Sequence, residues 1–436
     1  MNRGAIWCAR ATLAISVLLT GGCAASKGTA QEKLVAAGNA TAPQLPIRTD
    51  GESVPRVDFS SWKAGFRERA LAAGITGAVF DAAFVGVTVN GRVLELDQFQ
   101  PEFVRPIWEY LDSAVSATRI ADGRARVSER RNTLSGIQDR YGVDLGIVAA
   151  IWGIESAYGN NFGSIPVIES LATLAYEGRR RAFGEEQLLA ALRIQQNGDV
   201  SPARMVGSWA GAMGHTQFIP TSFEDYAVDF TGDGKRDVWA DDPADALAST
   251  ANYLARFGWT RSAPSVIEVT LPGGFDYGLA DDSMRKSTAE WEALGVKRVG
   301  AGQLVPSDAV TILLPAGAKG PAFAAYPNFR VIKRYNNATS YAMAVALLAG
   351  QIDNAVAFGA RLTMDWPRGD RPLSRDETEE LQRRLTALGY ETHGIDGIVG
   401  PNTRRAIRNF QADKGMVPDG YLSAALLTQV RAAMGG

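Results

Sequence analysis

The chain has 436 residues, 46% of them apolar, and a formal net charge of −2. This length implies two or three domains with a substantial core. The balanced charge excludes the basic footprint of a nucleic-acid-binding protein, and with two histidines in the chain and no cysteine near the acidic stretch from Asp229 to Asp237, zinc is not expected there.

Arg3 and Arg10 precede the apolar run from Ala11 to Thr20, which Gly21-Gly22-Cys23-Ala24-Ala25 follows. Residues 1–25 read as a secretory signal, and the run is too short to span a membrane. The small residues before Cys23 suit a lipoprotein signal, which would lipidate Cys23 and anchor the chain to a membrane. Cleavage near Ala25 by an ordinary signal peptidase is the alternative. Cys8 and Cys23 both lie in this leader, so no disulfide is expected in the mature chain. Residues 26–57, rich in Ala, Gly, Thr and Pro with no apolar period, read as a flexible linker.

Residues 58–365 are expected to form a helix-rich domain. Trp62, Phe66, Ala70 and Ala73 fall at helical spacing. Val87-Thr-Val-Asn-Gly-Arg-Val-Leu alternates about Asn90-Gly91 and predicts a short hairpin. Residues 101–150 and 170–197 predict helices, Val266 to Leu271 and Val310 to Leu314 strands, and Tyr341 to Gln351 an amphipathic helix. Trp366-Pro-Arg-Gly-Asp-Arg-Pro372 marks a linker over 366–372. Over 373–434, Leu381, Leu385 and Leu388 form a helical stripe that Gly389 stops, and Thr403 to Gln411 a second helix. This unit has too few groups of catalytic type for an active site and reads as a small binding module.

The chemistry centres on Ala149-Ala-Ile-Trp-Gly-Ile-Glu-Ser-Ala-Tyr-Gly159. An apolar helical run ends in one carboxylate, Glu155, which shares a face with Ile151 and Trp152 one turn earlier. Desolvation penalises the charged form of such a group and raises its pKa, as a general acid requires. Taken alone, Glu155 also reads as a helix-end residue paired with an arginine.

Ser208-Trp-Ala-Gly-Ala-Met-Gly-His-Thr-Gln-Phe-Ile-Pro220 is dense in small residues, and Gly207, Gly211 and Gly214 allow a close backbone approach. Gln217 offers an amide suited to sugar hydroxyl and acetamido groups. Close helix packing explains the glycines equally well. A Ser208–His215 nucleophile pair has neither the elbow nor a triad order behind it. Asp229-Phe-Thr-Gly-Asp-Gly-Lys-Arg-Asp237 places oxygen ligands at EF-hand positions one, three, five and nine, with Gly234 at six. Ala240 stands at position twelve, so Asp241, Asp242 or Asp245 would close the shell around a structural Ca²⁺. An Asp-Gly turn without metal is the alternative. In Arg334-Tyr-Asn-Asn-Ala-Thr-Ser-Tyr341, Tyr335, Asn336 and Tyr341 could stack on and bond to sugars, or Asn337 or Thr339 could simply cap the next helix.

Ile151-Trp-Gly-Ile-Glu-Ser, Ile165-Pro-Val-Ile-Glu-Ser-Leu-Ala-Thr-Leu-Ala, Ser208 to Phe218, the Asp229 loop and Arg334-Tyr-Asn occur in this order. Jointly they resemble the lytic murein transglycosylase B family over roughly residues 58–360. The stretch from Leu381-Gln to Asp419-Gly-Tyr-Leu resembles the common peptidoglycan-binding domain. The resemblance implies a mainly α fold: a lysozyme-like helical catalytic core with small β elements, plus a three-helix peptidoglycan-binding module. It implies a periplasmic enzyme of a Gram-negative bacterium, acting as a monomer on the glycan strands of peptidoglycan, with Cys23 as an optional outer-membrane anchor. Such an enzyme cleaves the β-1,4 bond between N-acetylmuramic acid and N-acetylglucosamine without water and leaves 1,6-anhydro ends. Carried over by motif, Glu155 is the single acid and base. Ser208, Gln217, Tyr335, Asn336 and Tyr341 line the glycan cleft, with Tyr253 and Tyr110 as weaker matches. No cofactor is implied for catalysis. A structural Ca²⁺ maps to Asp229, Thr231, Asp233, the carbonyl of Lys235, and Asp245, which lies one residue later than the family pattern. Glu169 and Glu177 fall in a helical stretch and read as structural. The alternatives are a hydrolytic muramidase and a non-catalytic peptidoglycan-binding scaffold.

Overall fold

The computed structural model describes residues 57–98, 106–281, 283–300, 302–353, 362–369, 371 and 373–435. The leader with Cys23, and the linker up to residue 56, lie outside the described residues.

The first hundred described residues are a succession of short helices. Asp58, Thr76 and Ser116 each accept a backbone N–H of the first turn that follows, which would otherwise lack a partner. The helices are α1 (Phe59–Ala72), α2 (Gly77–Ala83), α3 (Gly91–Gln98), α4 (Ile107–Ala114), α5 (Ala117–Glu129), α6 (Arg131–Tyr141) and α7 (Leu145–Ser156). The hairpin expected about Asn90-Gly91 does not form, because Asn90 starts α3 instead. Its Oδ1 accepts the N–H groups of Arg92 and Val93 at 3.0 and 3.3 Å, and its Nδ2 donates to Glu169 Oε1 at 2.6 Å. The local side-chain bonding that suits Asn to a turn suits it equally to a helix start.

Next come β1 (Ile165–Pro166), α8 (Val167–Tyr176), α9 (Arg181–Gln196), β2 (Val206–Gly207), α10 (Pro220–Tyr226) and α11 (Ala244–Arg256). β1 and β2 pair antiparallel, with Ile165 opposite Gly207. A separate apolar cluster then organises β3 (Val266–Thr270), α12 (Thr288–Ala293), β4 (Lys297–Arg298), β5 (Thr311–Leu313) and β6 (Ala322–Ala325). The sheet is antiparallel in the order β4-β3-β6-β5 and closes over Trp291, Val296 and Tyr326. β3 and β5 match the expected strands. β6 is Ala-Phe-Ala-Ala, whose alanines carry little strand propensity; it forms by pairing with both neighbours.

The chain then returns to the first core through α13 (Pro327–Tyr335) and α14 (Thr339–Ile352). Every residue of α14 from Tyr341 to Ile352 except Gln351 is buried, and the helix packs on α7, α4 and α5. Neither Asn337 nor Thr339 caps it: the N-cap is Ala338, without a side-chain cap bond, and Asn336 Oδ1 accepts the N–H of Ala338 at 3.0 Å in the turn before the helix.

A third cluster holds α15 (Arg375–Ala387), α16 (Pro401–Asp413) and α17 (Ala424–Met434) around Leu381, Leu385, Ile407, Phe410 and Val430. The mainly helical fold with small sheets and a three-helix terminal module is the one expected. The module is docked rather than trailing. Trp366 packs between Trp108 and Phe323, and Arg368 makes a two-point pair with Asp112 at 2.6 and 2.9 Å. Asp419 Oδ2 accepts the N–H of Ala318 at 2.8 Å. Gly317, at φ +66°, makes this possible: a Cβ there would lie 2.5 Å from Asp419 Oδ2 and 2.7 Å from Tyr421.

Gly317→Ala adds that clash to the roughly 1–2 kcal/mol that an L-residue loses in the left-handed region. The expected outcome is a loosened module, measured as faster limited proteolysis near residues 366–372 in the full-length protein.

Candidate active site

Helix α7 is apolar from Leu145 to Ile154, and all twelve of its residues, Glu155 and Ser156 included, are buried. Burying a side chain such as Ile151 contributes about 1.5–3 kcal/mol, so the helix sits in the core by its composition. It stops at a sharp turn. Ala157 and Tyr158 both take left-handed φ values, 49° and 59°, and their N–H groups return to the carbonyls of Gly153 and Trp152 at 3.1 and 3.3 Å. Non-glycine residues in this region cost of order 1–2 kcal/mol each and gather at functional sites. Tyr158 offsets the cost by burying its ring edge-on against Trp152 and donating its hydroxyl to the Arg119 carbonyl at 2.9 Å. Desolvation holds that phenol well above its ordinary pKa, so it remains a donor.

Glu155 lies one residue inside this turn and is 2% exposed. The hydroxyl of Tyr341, on α14, donates to its Oε1 at 2.6 Å. Tyr341 is itself 1% exposed. It is therefore not an open platform for a sugar face: it grips the carboxyl group from within the core. Burial, and next the charge of Glu155, push the hydroxyls of both Tyr341 and Tyr335 well above the usual tyrosine range. Both are protonated donors throughout the working pH range.

Tyr335 and its neighbours form a supporting tier. Its hydroxyl donates to the carbonyl of Thr216, the residue before Gln217. Its ring meets Tyr253 edge-on at 5.1 Å and lies 5.8 Å from Phe218. Tyr253 is buried, and its hydroxyl donates to the Arg334 carbonyl at 2.6 Å. Asn336 is 4% exposed and spends Oδ1 on the turn into α14. Tyr110, half-buried on α4, lies close enough to Tyr341 to perturb its hydroxyl.

The glycine-rich segment approaches protein, not an open space. A Cβ on Gly214 would lie 2.3 Å from the Val238 carbonyl, and one on Gly207 2.2 Å from the Ala212 carbonyl. Ser208 Oγ accepts the N–H groups of Ala210 and Ala212 at 3.3 and 3.0 Å and folds the loop on itself. Gln217 stands at φ 53°, left-handed, and donates its amide to the carbonyls of Gly214 and Phe162 at 2.9 and 3.2 Å. With the NH₂ group so held, Oε1 is the end of Gln217 suited to accept a ligand's hydrogen bond. Three of the five left-handed non-glycine residues among those described, Ala157, Tyr158 and Gln217, thus belong to this region.

The acidic loop forms a second cluster. Carboxylate oxygens of Asp229, Asp233 and Asp245 come within 4.8 Å of one another. Asp245 is buried; its Oδ1 accepts the N–H groups of Phe230 and Thr231, and its Oδ2 that of Asp237. Asp229 accepts N–H groups from Gly232, Asp233 and Gly234 and the Thr231 hydroxyl, while Lys235 N–H reaches Asp233. Backbone amides, that of Gly234 foremost, hold the Asp229 carboxyl below its usual pKa; burial pushes that of Asp245 up. Three convergent carboxylates in an amide-lined loop are a hard-oxygen donor set, which fits Ca²⁺ and not zinc.

Sequence reasoning overlooked His215 except as a nucleophile partner. It is 4% exposed, accepts from Trp152 Nε1 at Nδ1 (3.1 Å) and donates from Nε2 to the Ala240 carbonyl (2.7 Å). The Trp and His lie in two of the quoted motifs, but nothing in their spacing announces the pairing.

The profile of the Transglycosylase SLT domain matches residues 58–350, and that of a putative peptidoglycan binding domain matches residues 374–430. The membrane-bound lytic murein transglycosylase B of Escherichia coli is 32% identical over 257 residues, 57% of this chain and 66% of that protein. The structure of SltB3 from Pseudomonas aeruginosa in complex with NAG-anhNAM-pentapeptide is 50% identical, with a TM-score of 0.83 over 86% of this chain and 99% of that one. The Escherichia coli lytic transglycosylase Slt35 in complex with calcium is 28% identical, with a TM-score of 0.58 over 68% of this chain and 92% of that one.

Desolvation lowers the pKa of His215 below the ordinary 6.5. Below that pH the unfolded chain binds more protons than the folded one, so stability falls as pH drops from 6.5 toward the folded-state value. The thermal midpoint of the native protein should decline more steeply over this window than that of His215→Gln, as measured by calorimetry at matched ionic strength.

Proposed function

The chain belongs to the transglycosylase SLT-domain family of peptidoglycan lytic transglycosylases, and on that premise we propose that Glu155 is its single catalytic acid and base. The observation that carries this reading is one carboxyl group, buried where the apolar run of α7 ends, with the Tyr341 hydroxyl 2.6 Å from Oε1. With Oε1 accepting from Tyr341, Oε2 carries the transferable proton. Glu155 gives that proton to the oxygen bridging N-acetylmuramic acid to N-acetylglucosamine as the bond to the muramic anomeric carbon breaks. The positive charge that develops is met by local dipoles or by the sugar's own 2-acetamido oxygen. Glu155, now ionised and steadied by Tyr341, takes the proton of the muramic 6-hydroxyl. That oxygen closes on the anomeric carbon, and a 1,6-anhydro ring results. No water is consumed.

A hydrolase of the usual kind needs a second carboxylate. The other buried acids among the described residues are Asp97, Asp199 and Asp245. Asp97 pairs with Arg180, Asp199 pairs with Arg236, and Asp245 is held in the acidic loop. These commitments support the one-carboxylate route over a muramidase. Gln217 through Oε1, and Ser208, are the proposed sugar contacts. Tyr335, Tyr253 and Asn336 support the wall behind them, and Tyr110 flanks Tyr341.

Further elements of the reading concern location and metal. The leader supports export to the periplasm, where Cys23 offers a lipid attachment point to the outer membrane and the terminal module holds the monomer on its polymer. Asp229, Thr231, Asp233, Lys235 and Asp245 would hold a structural Ca²⁺, whose charge would balance the three carboxylates.

Mass spectrometry of muropeptides released from purified sacculi tests the reaction. Fragments lighter by one water than their hydrolytic counterparts are expected. Reducing ends alone would make the protein a muramidase, and binding without release a scaffold. Glu155→Gln should lose about 10²–10⁴-fold in rate, the usual worth of a positioned acid. Tyr341→Phe should lose roughly 10- to 100-fold in kcat, the equivalent of about 1.5–3 kcal/mol for a hydrogen bond to a charged group. Ca²⁺ should raise the thermal midpoint over that in EGTA, by linkage worth about 2.7 kcal/mol at 100 times the Kd. Asp245→Asn should abolish that response.

A further inference from the structure

The reaction as derived leaves one buried imidazole unused. The tautomer of His215 follows from its partners. A carbonyl cannot donate, so Nε2 carries the hydrogen toward Ala240; an indole N–H cannot accept, so Nδ1 is the bare nitrogen facing Trp152. With both nitrogens engaged in structural bonds, His215 is not placed to exchange protons with a substrate. Its other contacts are equally committed. The His215 carbonyl accepts from Ser156 Oγ at 2.6 Å, and its N–H donates to the Val238 carbonyl at 3.0 Å. Ser156 Oγ in turn accepts the N–H of Gly159 at 3.0 Å. A Cβ on Gly159 would lie 2.6 Å from the imidazole, so the left-handed turn after Glu155 rests on this ring. Phe162 meets the ring edge-on at 4.5 Å, and its carbonyl holds the Gln217 amide.

These contacts converge on the Glu155 end of α7. Trp152 precedes it by three residues on the same helix face, and Ser156 follows it directly. The far side of the ring is tied to residues 238–240, which leave the acidic loop next to Asp237, whose N–H is held by Asp245. The two clusters of the site therefore meet at one side chain. We propose that His215 is a positioning residue for the transglycosylase reaction, a clasp that fixes the Glu155 end of α7 against the Gln217 loop and the segment leaving the acidic loop. The proposal rests on the reading of Glu155 as acid and base. Its physical basis is that a displacement of about 1 Å at a proton-transferring group costs on the order of 100-fold in rate.

The test is a double-mutant cycle in the full-length protein with soluble uncross-linked glycan strands as substrate. Trp152→Phe removes the donor to Nδ1 and keeps a ring in place. His215→Ala removes the clasp, and His215→Asn returns an acceptor near the position of Nδ1. In variants shown folded by circular dichroism, His215→Ala and Trp152→Phe should each lower kcat by roughly 10- to 100-fold with KM changed less than about threefold. The double variant should lose little more than either single one, and His215→Asn should recover part of the loss. Wild-type kcat in folded His215→Ala would overturn the proposal, as would losses that multiply in the double variant. If His215→Ala does not fold, kcat of Trp152→Phe decides by the same criterion. Retained activity in Glu155→Gln, which leaves the clasp intact, would instead sink the assignment of Glu155 itself.

Discussion

A carboxyl group is costly to keep inside a protein, and the catalytic region of this chain is arranged around keeping one there. Glu155 is introduced into the core by a helix with no polar face, so it has no route to solvent along its own element. Its Oε1 is met by a phenol from α14, a helix as thoroughly buried as α7. A buried acid with a neutral donor can exist protonated or ionised, the donor making the ionised form tolerable after proton transfer. Buried beside an arginine it would be fixed as a carboxylate. Tyr341 supplies a neutral donor to Oε1, which suits the proposed role of Glu155 as both acid and base.

Around this pair the structure concentrates backbone strain. The helix ends in two successive left-handed residues that are not glycine, and the loop opposite presents a left-handed Gln217. Such conformations persist only where the surroundings over-determine them. Here the over-determination is visible: Tyr158 is buried against Trp152, Gly159 against His215, and the Gln217 amide is held by two carbonyls. The aromatic tier of Tyr335, Tyr253 and Phe218 fixes the same loop from the other side through the Thr216 carbonyl. The site is a rigid frame in which most tyrosines serve as braces.

The outer parts follow the same logic of fixing geometry. The acidic loop gathers three carboxylates whose mutual repulsion a hard cation would relieve, and amide groups already orient them. The terminal module is joined to the sheet subdomain by Asp419, and the linker that leads into it to the helical core by the Arg368–Asp112 pair. Its docked position gives the polymer-holding part a defined place relative to the catalytic part.

How much of this was legible beforehand divides along physical lines. The apolar run ending in Glu155, the oxygen ligands spaced along the Asp229 loop, the helical stripes of the terminal module and the order of the motifs are local patterns, and local patterns are written in sequence. They determined the helical class and the module, and they singled out the carboxyl group proposed to carry the chemistry. Asn90-Gly91 is ambiguous in sequence because one side chain serves both a hairpin turn and a helix start, and a bond that Asn90 donates to Glu169, 79 positions away, accompanies the second. Tyr335, Asn336 and Tyr341 sit in one short stretch, and which of them face a ligand depends on what packs against them. Tyr341 turned inward to Glu155 because α14 is buried along nearly its whole length. The Trp152–His215 bond joins residues 63 positions apart, and β6 is a strand only because β3 and β5 flank it. Local propensity and period are properties of a few neighbouring residues. Which buried partner each polar group finds is decided only when distant segments share one core, and that the tertiary structure alone could settle.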